Sequence, residues 1–266
     1  MLRHSIATAV ALLLVATAAH GQAEDRAFCP ARPGKASPTC TITPGRLQIE
    51  LDAFDQTIDR SNGVKSTDAI MAVPQLRVGL STNSELQLAW TPHERFTTAG
   101  LGKSKVNSGI GDMVAGLKYN LTDNRDGFGA ALQPFVKIPT ATRSLGNGKV
   151  EGGLVAPLSV PLSKGWALNL SPEIDVSAND DGGGYHTAGA LAAGLGCAFT
   201  PELSFGAEIW VERAFVSEAE TAATVDLMLA FTPADIHDLQ FDAGVNRGIT
   251  PAAPNTQVYL GVAKRF

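Results

Sequence analysis

The chain has 266 residues, 21 Lys and Arg against 26 Asp and Glu, and a formal net charge of −5. A mildly acidic balance gives no reason to expect nucleic acid as a partner, and three cysteines suit an exported protein that leans little on disulfides. Past the N-terminus no run of about 18 residues is apolar, so no membrane helix is expected there, and hydropathy alone would describe a soluble secreted protein.

In chain order, the first element is a three-part export signal. Met1 to His4 form a short basic head, Ile6 to Ala19 are almost wholly apolar, and Gly21 and Ala23 occupy the −3 and −1 places of a cut after Ala23. Cuts after Ala19 or Gly21 are alternatives. The apolar run falls short of the roughly 20 residues of a spanning helix. Residues 1–23 are therefore read as a cleaved signal peptide, 24–44 as an N-terminal periplasmic segment and 45–266 as a barrel. In the second unit Cys29 and Cys40 bracket an aperiodic Pro-rich stretch, where an oxidising periplasm would let them pair as a local staple. A metal or redox pair would need a CxxC spacing or a nearby His. Arg26-Ala27-Phe28 is no lipobox, so Cys29 is not a lipidation site. Cys197, alone in an apolar run, reads as a small hydrophobe.

From residue 46 onward the pattern is alternation. Leu203, Phe205, Ala207, Ile209 and Val211 alternate with Ser204, Gly206, Glu208, Trp210 and Glu212; Leu239, Phe241, Ala243 and Val245 alternate with Gln240, Asp242, Gly244 and Asn246. A period of two puts each set on one face of a strand. Extended along the chain, it predicts about twelve strands, near 46–56, 68–80, 84–92, 108–121, 127–138, 149–162, 166–178, 186–200, 203–214, 221–232, 238–248 and 257–266. Each is long enough for a tilted membrane strand of roughly 9–11 residues. The connections alternate short and long, the long ones at 57–67, 93–107, 139–148, 179–185, 215–220 and 249–256, as when tight turns face the periplasm and longer loops face outward. The fold class expected is all-β: an antiparallel up-and-down transmembrane barrel.

Isolated charges fall on the polar faces at mid-strand: Glu50, Arg77, Asp112, Lys118, Lys137, Glu173, Glu208, Asp226 and Asp242. At the lipid-facing midplane each would cost a few kcal/mol, so they are candidate lumen-lining residues. With Asp52, Glu85, Asp175, Glu212 and Arg265 on the same parity, ten acids face four bases. Such a lumen would favour cations, unless the charges pair and fill it. Segment 24–44 could also block the periplasmic mouth. At the other end, Val258, Leu260, Val262 and the terminal Phe266 resemble the signal by which barrels are recognised for insertion, with Lys264 departing from it at a place that is usually apolar.

The stretches Ser108-Gly109-Ile110-Gly111-Asp112, Gly116-Leu117-Lys118-Tyr119 and Val136-Lys137-Ile138-Pro139-Thr140 resemble the central part of the outer-membrane transporter family named for the MetA pathway of phenol degradation. Val78 to Leu86, Leu239 to Ile249, Ala253-Pro254-Asn255 and Gly261 to Phe266 extend the resemblance over most of residues 45–266. It implies a porin-like channel for passive passage of small, hydrophobic or aromatic molecules. The partners expected are outer-membrane lipid, the barrel-assembly machinery and small solutes, with no cofactor, no metal and no catalysis.

Other chemistry is weakly signalled. Gly102-Lys103-Ser104 ends like a phosphate loop, but Thr97 stands where its first Gly belongs. Gly109 and Gly111 lack the third Gly of a dinucleotide fold. His93 lacks the second His of a zinc helix, and Asp180 to Gly184 is a single oxygen-rich loop that could hold Ca²⁺. An outer-membrane hydrolase built on His186 with Ser177 and Asp175, or a structural or adhesive barrel, are the alternatives.

Overall fold

The computed structural model describes residues 26–100, 102–122, 127–179 and 181–266. The signal-peptide expectation and Asp180 lie outside them. Fifteen strand segments form one antiparallel sheet that closes on itself, because β1 (Leu47–Ser61) pairs with β2 (Val64–Gly79) on one side and with β15 (Thr256–Arg265) on the other. Between them run β3 (Ser84–Trp90), β4 (His93–Gly100), β5 (Lys103–Gly109), β6 (Met113–Asn120), β7 (Gly129–Ile138), β8 (Glu151–Val155), β9 (Leu158–Pro161), β10 (Trp166–Ala178), β11 (Tyr185–Ala198), β12 (Leu203–Ala214), β13 (Ala222–Phe231) and β14 (Leu239–Gly248).

Three wall strands are each broken in two, so the fifteen segments make a twelve-stranded wall. β3 and β4 are parted at Thr91-Pro92, and β8 and β9 at Ala156-Pro157, where proline has no N–H to give the ladder. β5 and β6 are parted around Gly111. The backbone groups freed by the second break are reused: Ala131 N donates to Pro157 O at 2.9 Å and Ala156 N to Pro172 O at 2.9 Å. Phe266 N donates to Leu47 O at 2.8 Å beside the β1–β15 seam.

Two expected long loops are strands instead. Residues 57–67 belong to β1 and β2, which turn through Asn62 (φ 50°) and Gly63 (φ 76°). Positive φ at both centres is the two-residue turn that Asn-Gly favours, because its twist matches the strands. Residues 93–107 form most of the β4–β5 hairpin, and β4 ladders along β2 from Val64↔Gly100 to Met71↔His93. Period-two reading missed both because these segments are polar on both faces. Of the six far-end connections, only the one after β7, residues 139–150, is longer than every terminal-end turn; those after β10, β12 and β14 are comparable with the turns after β6 and β13.

The wall inverts the usual order of inside and outside. Ile174, Ile209, Leu227 and Leu260 are about half exposed on the outer surface, while Gln48, Glu50, Arg77, Glu85 and Lys118 are at most 1% exposed within. The outer surface carries an apolar belt of Leu, Ile, Val and Phe from strand after strand, far beyond the patches of a few hundred Å² that soluble monomers expose. A closed sheet leaves no open backbone edge, as hydrocarbon requires. No helix among the described residues is long and apolar enough to cross a membrane, so the strands alone span it.

Candidate functional site: an occupied lumen

The lumen is filled from one end by the chain itself. Residues 26–44 enter at the end of the barrel that holds the start of β1 and the C-terminus, here the terminal end. Cys29 and Cys40 are disulfide-bonded, with Cα atoms 6.3 Å apart. Their loop has no regular backbone ladder of its own, so its polar groups must find partners on the wall. Cys29 O accepts from Arg77 Nη1 at 2.7 Å and from Gln48 Nε2 at 3.1 Å. Ala31 N donates to Glu50. Lys35 N and Ala36 N donate to Glu208 at 2.7 and 3.1 Å. Pro38 O accepts from Lys118 Nζ at 2.9 Å, and Ile42 N donates to Glu85 at 2.8 Å.

Most of the candidate lumen charges therefore meet the inserted segment. Arg77 bridges Glu50 at 2.7 Å and Glu85 at 2.8 Å, and Lys118 lies 3.9 Å from Glu85. Two acids and two bases form this cluster, so its formal charges balance. Asp242 is 2.8 Å from Arg32 Nη2, while Arg32 Nη1 also bonds Asp52. Burial opposes the charge on Arg32, but the hydrogen bond to Asp242 and the charges of Asp52 and Asp242 outweigh it and hold the guanidinium above its ordinary range. Asp226 is paired with Lys35 at 2.7 Å. Parity could not reveal Arg32 and Lys35, the two cations that the segment carries inward, because they lie in aperiodic chain.

The β14 stretch of the family-like sequence builds much of this docking wall. Asp242 holds Arg32. Gly244, directly opposite Tyr259 in the ladder, leaves room for the Tyr259 ring, which a Cβ would overlap. Gly261 does the same for the Arg32 guanidinium, which lies 5.9 Å from the centre of the Tyr259 ring. Lys35 Nζ stands 4.9 Å from the centre of the Trp210 ring. Two large aromatics on an otherwise polar face were the available signal that something cationic stacks there.

At the far end a second piece of chain folds onto the wall. Thr142 N donates to Ile110 O at 2.9 Å, and Ile110 N donates to Thr142 Oγ1 at 3.1 Å. A Cβ on Gly109 would collide with the Thr142 side chain, so glycine sets how closely the 139–150 loop can lie. Asp112 caps the contact, accepting from Ala141 N and Lys137 Nζ, both at 2.8 Å. Lys137 also reaches Glu151 at 2.9 Å. The Gly-Ile-Gly-Asp stretch is thus a loop anchor. Glu173, Asp175 and Glu212 lie in register across β10–β12 above the inserted segment, and no salt bridge joins them to a cation among the described residues.

Among the described residues, two cavities lie in the lumen. The outer one, about 220 Å³, is walled by polar side chains, including Asp55, Asp226 and Asn246. The inner one, about 320 Å³ and towards the terminal end, is walled by Ala167, Gly194, Gly196, Gly206, Met228 and Ala230. Arg32, Pro33, Gly34 and Glu208 line both, so they partition the lumen. The partition is close-fitting: a Cβ on Gly34 would lie 2.8 Å from Glu208 Oε2 and 3.1 Å from Met228 Sδ.

The hydrolase constellation is not assembled. His186 faces Ser177 in register, but its Nδ1 bonds Asn179 Oδ1 at 2.9 Å. Gly102, Lys103 and Ser104 belong to the turn and second strand of the β4–β5 hairpin rather than to a helix-capped loop. Asp181 Oδ1 is spent on Gly183 N at 2.8 Å. Among the described residues no group of three or more His, Cys, Asp or Glu could hold a metal ion. Val258 and Leu260 lie on the outer surface and Phe266 is exposed. Lys264 gives its ammonium to His237 O at 2.6 Å, which places its charge at the rim of the terminal end.

The barrel is similar to solved membrane barrels. An outer membrane channel from Pseudomonas putida F1 aligns with a TM-score of 0.68 and 14% identity, covering 88% of this chain and 99% of that one. The NanC porin aligns at 0.53 and 9% identity (81% and 98% covered). The translocator domain of the autotransporter NalP from Neisseria meningitidis aligns at 0.51 and 14% identity (84% and 89% covered). A sequence search of curated proteins finds no match. Residues 31–266 match the family model described as "Putative MetA-pathway of phenol degradation".

Proposed function

The chain belongs to the family described as the putative MetA pathway of phenol degradation, and from that membership and the lumen geometry we propose that it is an outer-membrane channel for passive passage of small molecules. The observation that carries this reading is the pair of lumen cavities that meet at a shared partition of Arg32, Pro33 and Gly34 against Glu208. A solid interior would have no such spaces. The Gly, Ala and Met228 wall of the inner cavity suits a small apolar or aromatic solute better than a strongly hydrated one.

In this reading residues 1–23 are removed on export, both ends of the barrel chain face the periplasm, and the 139–150 loop lies outside. The assembly machinery reads Val258, Leu260, Val262 and Phe266, and the buried or paired charges of the lumen hold the plug as well as line the path. Heat-modifiable mobility of an outer-membrane fraction tests the barrel. Liposome swelling with matched aromatic and aliphatic solutes tests passage. Swelling faster than in protein-free vesicles is expected, with aromatic solutes ahead of aliphatic ones of equal size; rates equal to empty vesicles would overturn the channel. The density of bonds between plug and wall favours, as a second reading, a closed structural barrel, and that outcome would support it.

A further inference from the structure

We infer that the outer cavity is a binding site for a small organic cation with N–H donors, a primary ammonium or a guanidinium, which sits against Asp226 and Asn246 beside Lys35. Two buried acceptors carry the inference. Asp226 is 1% exposed and Asn246 is 4% exposed, and both line the outer cavity. Asp226 Oδ2 takes a bond from Lys35, yet its Oδ1 accepts none from any described residue. Asn246 Nδ2 donates to Gln257 Oε1 at 2.7 Å, and its Oδ1 likewise accepts none. An acceptor left unbonded in a buried place carries a real free-energy penalty. Here there are two, on residues directly opposite each other across the β13–β14 ladder, where cross-strand side chains are neighbours.

The charge of the cavity selects among donors. Asp52, Asp55, Glu208 and Asp226 face it against Arg32 and Lys35, an excess of two negative charges. A neutral donor would satisfy the acceptors and leave that excess; a cation does both. The wall also already accepts an ammonium: that of Lys35 lies 2.7 Å from Asp226 Oδ2, 2.8 Å from Thr224 Oγ1 and 4.9 Å from the centre of the Trp210 ring. At about 220 Å³ the cavity has the volume of about seven liquid waters, so the occupant is compact.

The inference rests on the channel reading only for how the solute arrives, so binding and passage are measured separately. Calorimetric titration of the full-length detergent-solubilised barrel with propylammonium is expected to give saturable one-site binding, with none for propanol at the same concentrations. Asn246→Leu, which leaves the Lys35–Asp226 pair in place, is expected to weaken propylammonium binding at least tenfold. Lys35→Met, which frees the second oxygen of Asp226, is expected to tighten it at least tenfold. Heat-modifiable mobility establishes that each variant is folded. Equal binding of propanol, or an unchanged affinity in folded Asn246→Leu, would overturn the site and leave water as the occupant. Conductance in planar bilayers without propylammonium binding would sink this site and spare the channel; binding without conductance would do the reverse.

Discussion

Arg77 has no exposed surface and is held between Glu50 and Glu85, with Cys29 O as a third acceptor. Removing one partner of such a pair leaves charge buried without compensation, which costs about 3–5 kcal/mol. Arg77→Met is therefore expected to lower the unfolding free energy by about that amount, read from urea titrations of the barrel in micelles. An unchanged midpoint would mean that water reaches the cluster. At this scale the sequence was half legible. Alternation identified Glu50, Arg77, Lys118, Glu208, Asp226 and Asp242 as polar-face residues because a strand fixes parity. It could not supply their partners, because Arg32, Lys35, Pro38 and Ile42 lie in a segment held by a disulfide and side-chain contacts, with no period to read.

At the scale of elements, the strands that touch hydrocarbon were readable and those that rise above it were not. β10 was placed at its observed bounds and β12 likewise, because one face of each carries a long apolar run, from Leu203 to Val211 in β12. The β1–β2 and β4–β5 hairpins escaped alternation, although Asn62-Gly63 between them was a turn signal of a different kind. Gly109 gives the element scale its prediction. Its missing side chain lets Thr142 lie against the wall, so Gly109→Leu should push the 139–150 loop outward. Single-channel conductance is expected to rise about twofold with the fold intact; no change would show that this loop does not limit the path.

For the whole molecule, the balance of lumen charge depends on the plug. Residues 26–44 bring Arg32 and Lys35 to Asp52, Asp242 and Asp226, so the parity excess of acid is partly offset inside. Deleting 26–44 is expected to raise conductance several-fold and to move the reversal potential further towards cations, since the freed carboxylates line the opened path. The deletion should also lower stability, because those carboxylates lose their partners. A wider but anion-preferring pore would contradict this placement of charge.

The plug also ties the two ends of the chain together in time. Arg32 and Asp242 are 210 residues apart, and Lys35 and Asp226 are 191 apart. In a chain made from its N-terminus, Arg32 and Lys35 emerge long before Asp242 and Asp226, which do not exist until β14 and β13 are laid down; Asp52 of β1 is the one early ionic partner among the described residues. A barrel stalled before those strands would still hold its first segment through wall residues such as Glu50, Asp52, Arg77 and Glu208, but without Asp226 and Asp242. The ion pairs that narrow the finished pore are thus also the contacts by which a completed barrel differs from an unfinished one.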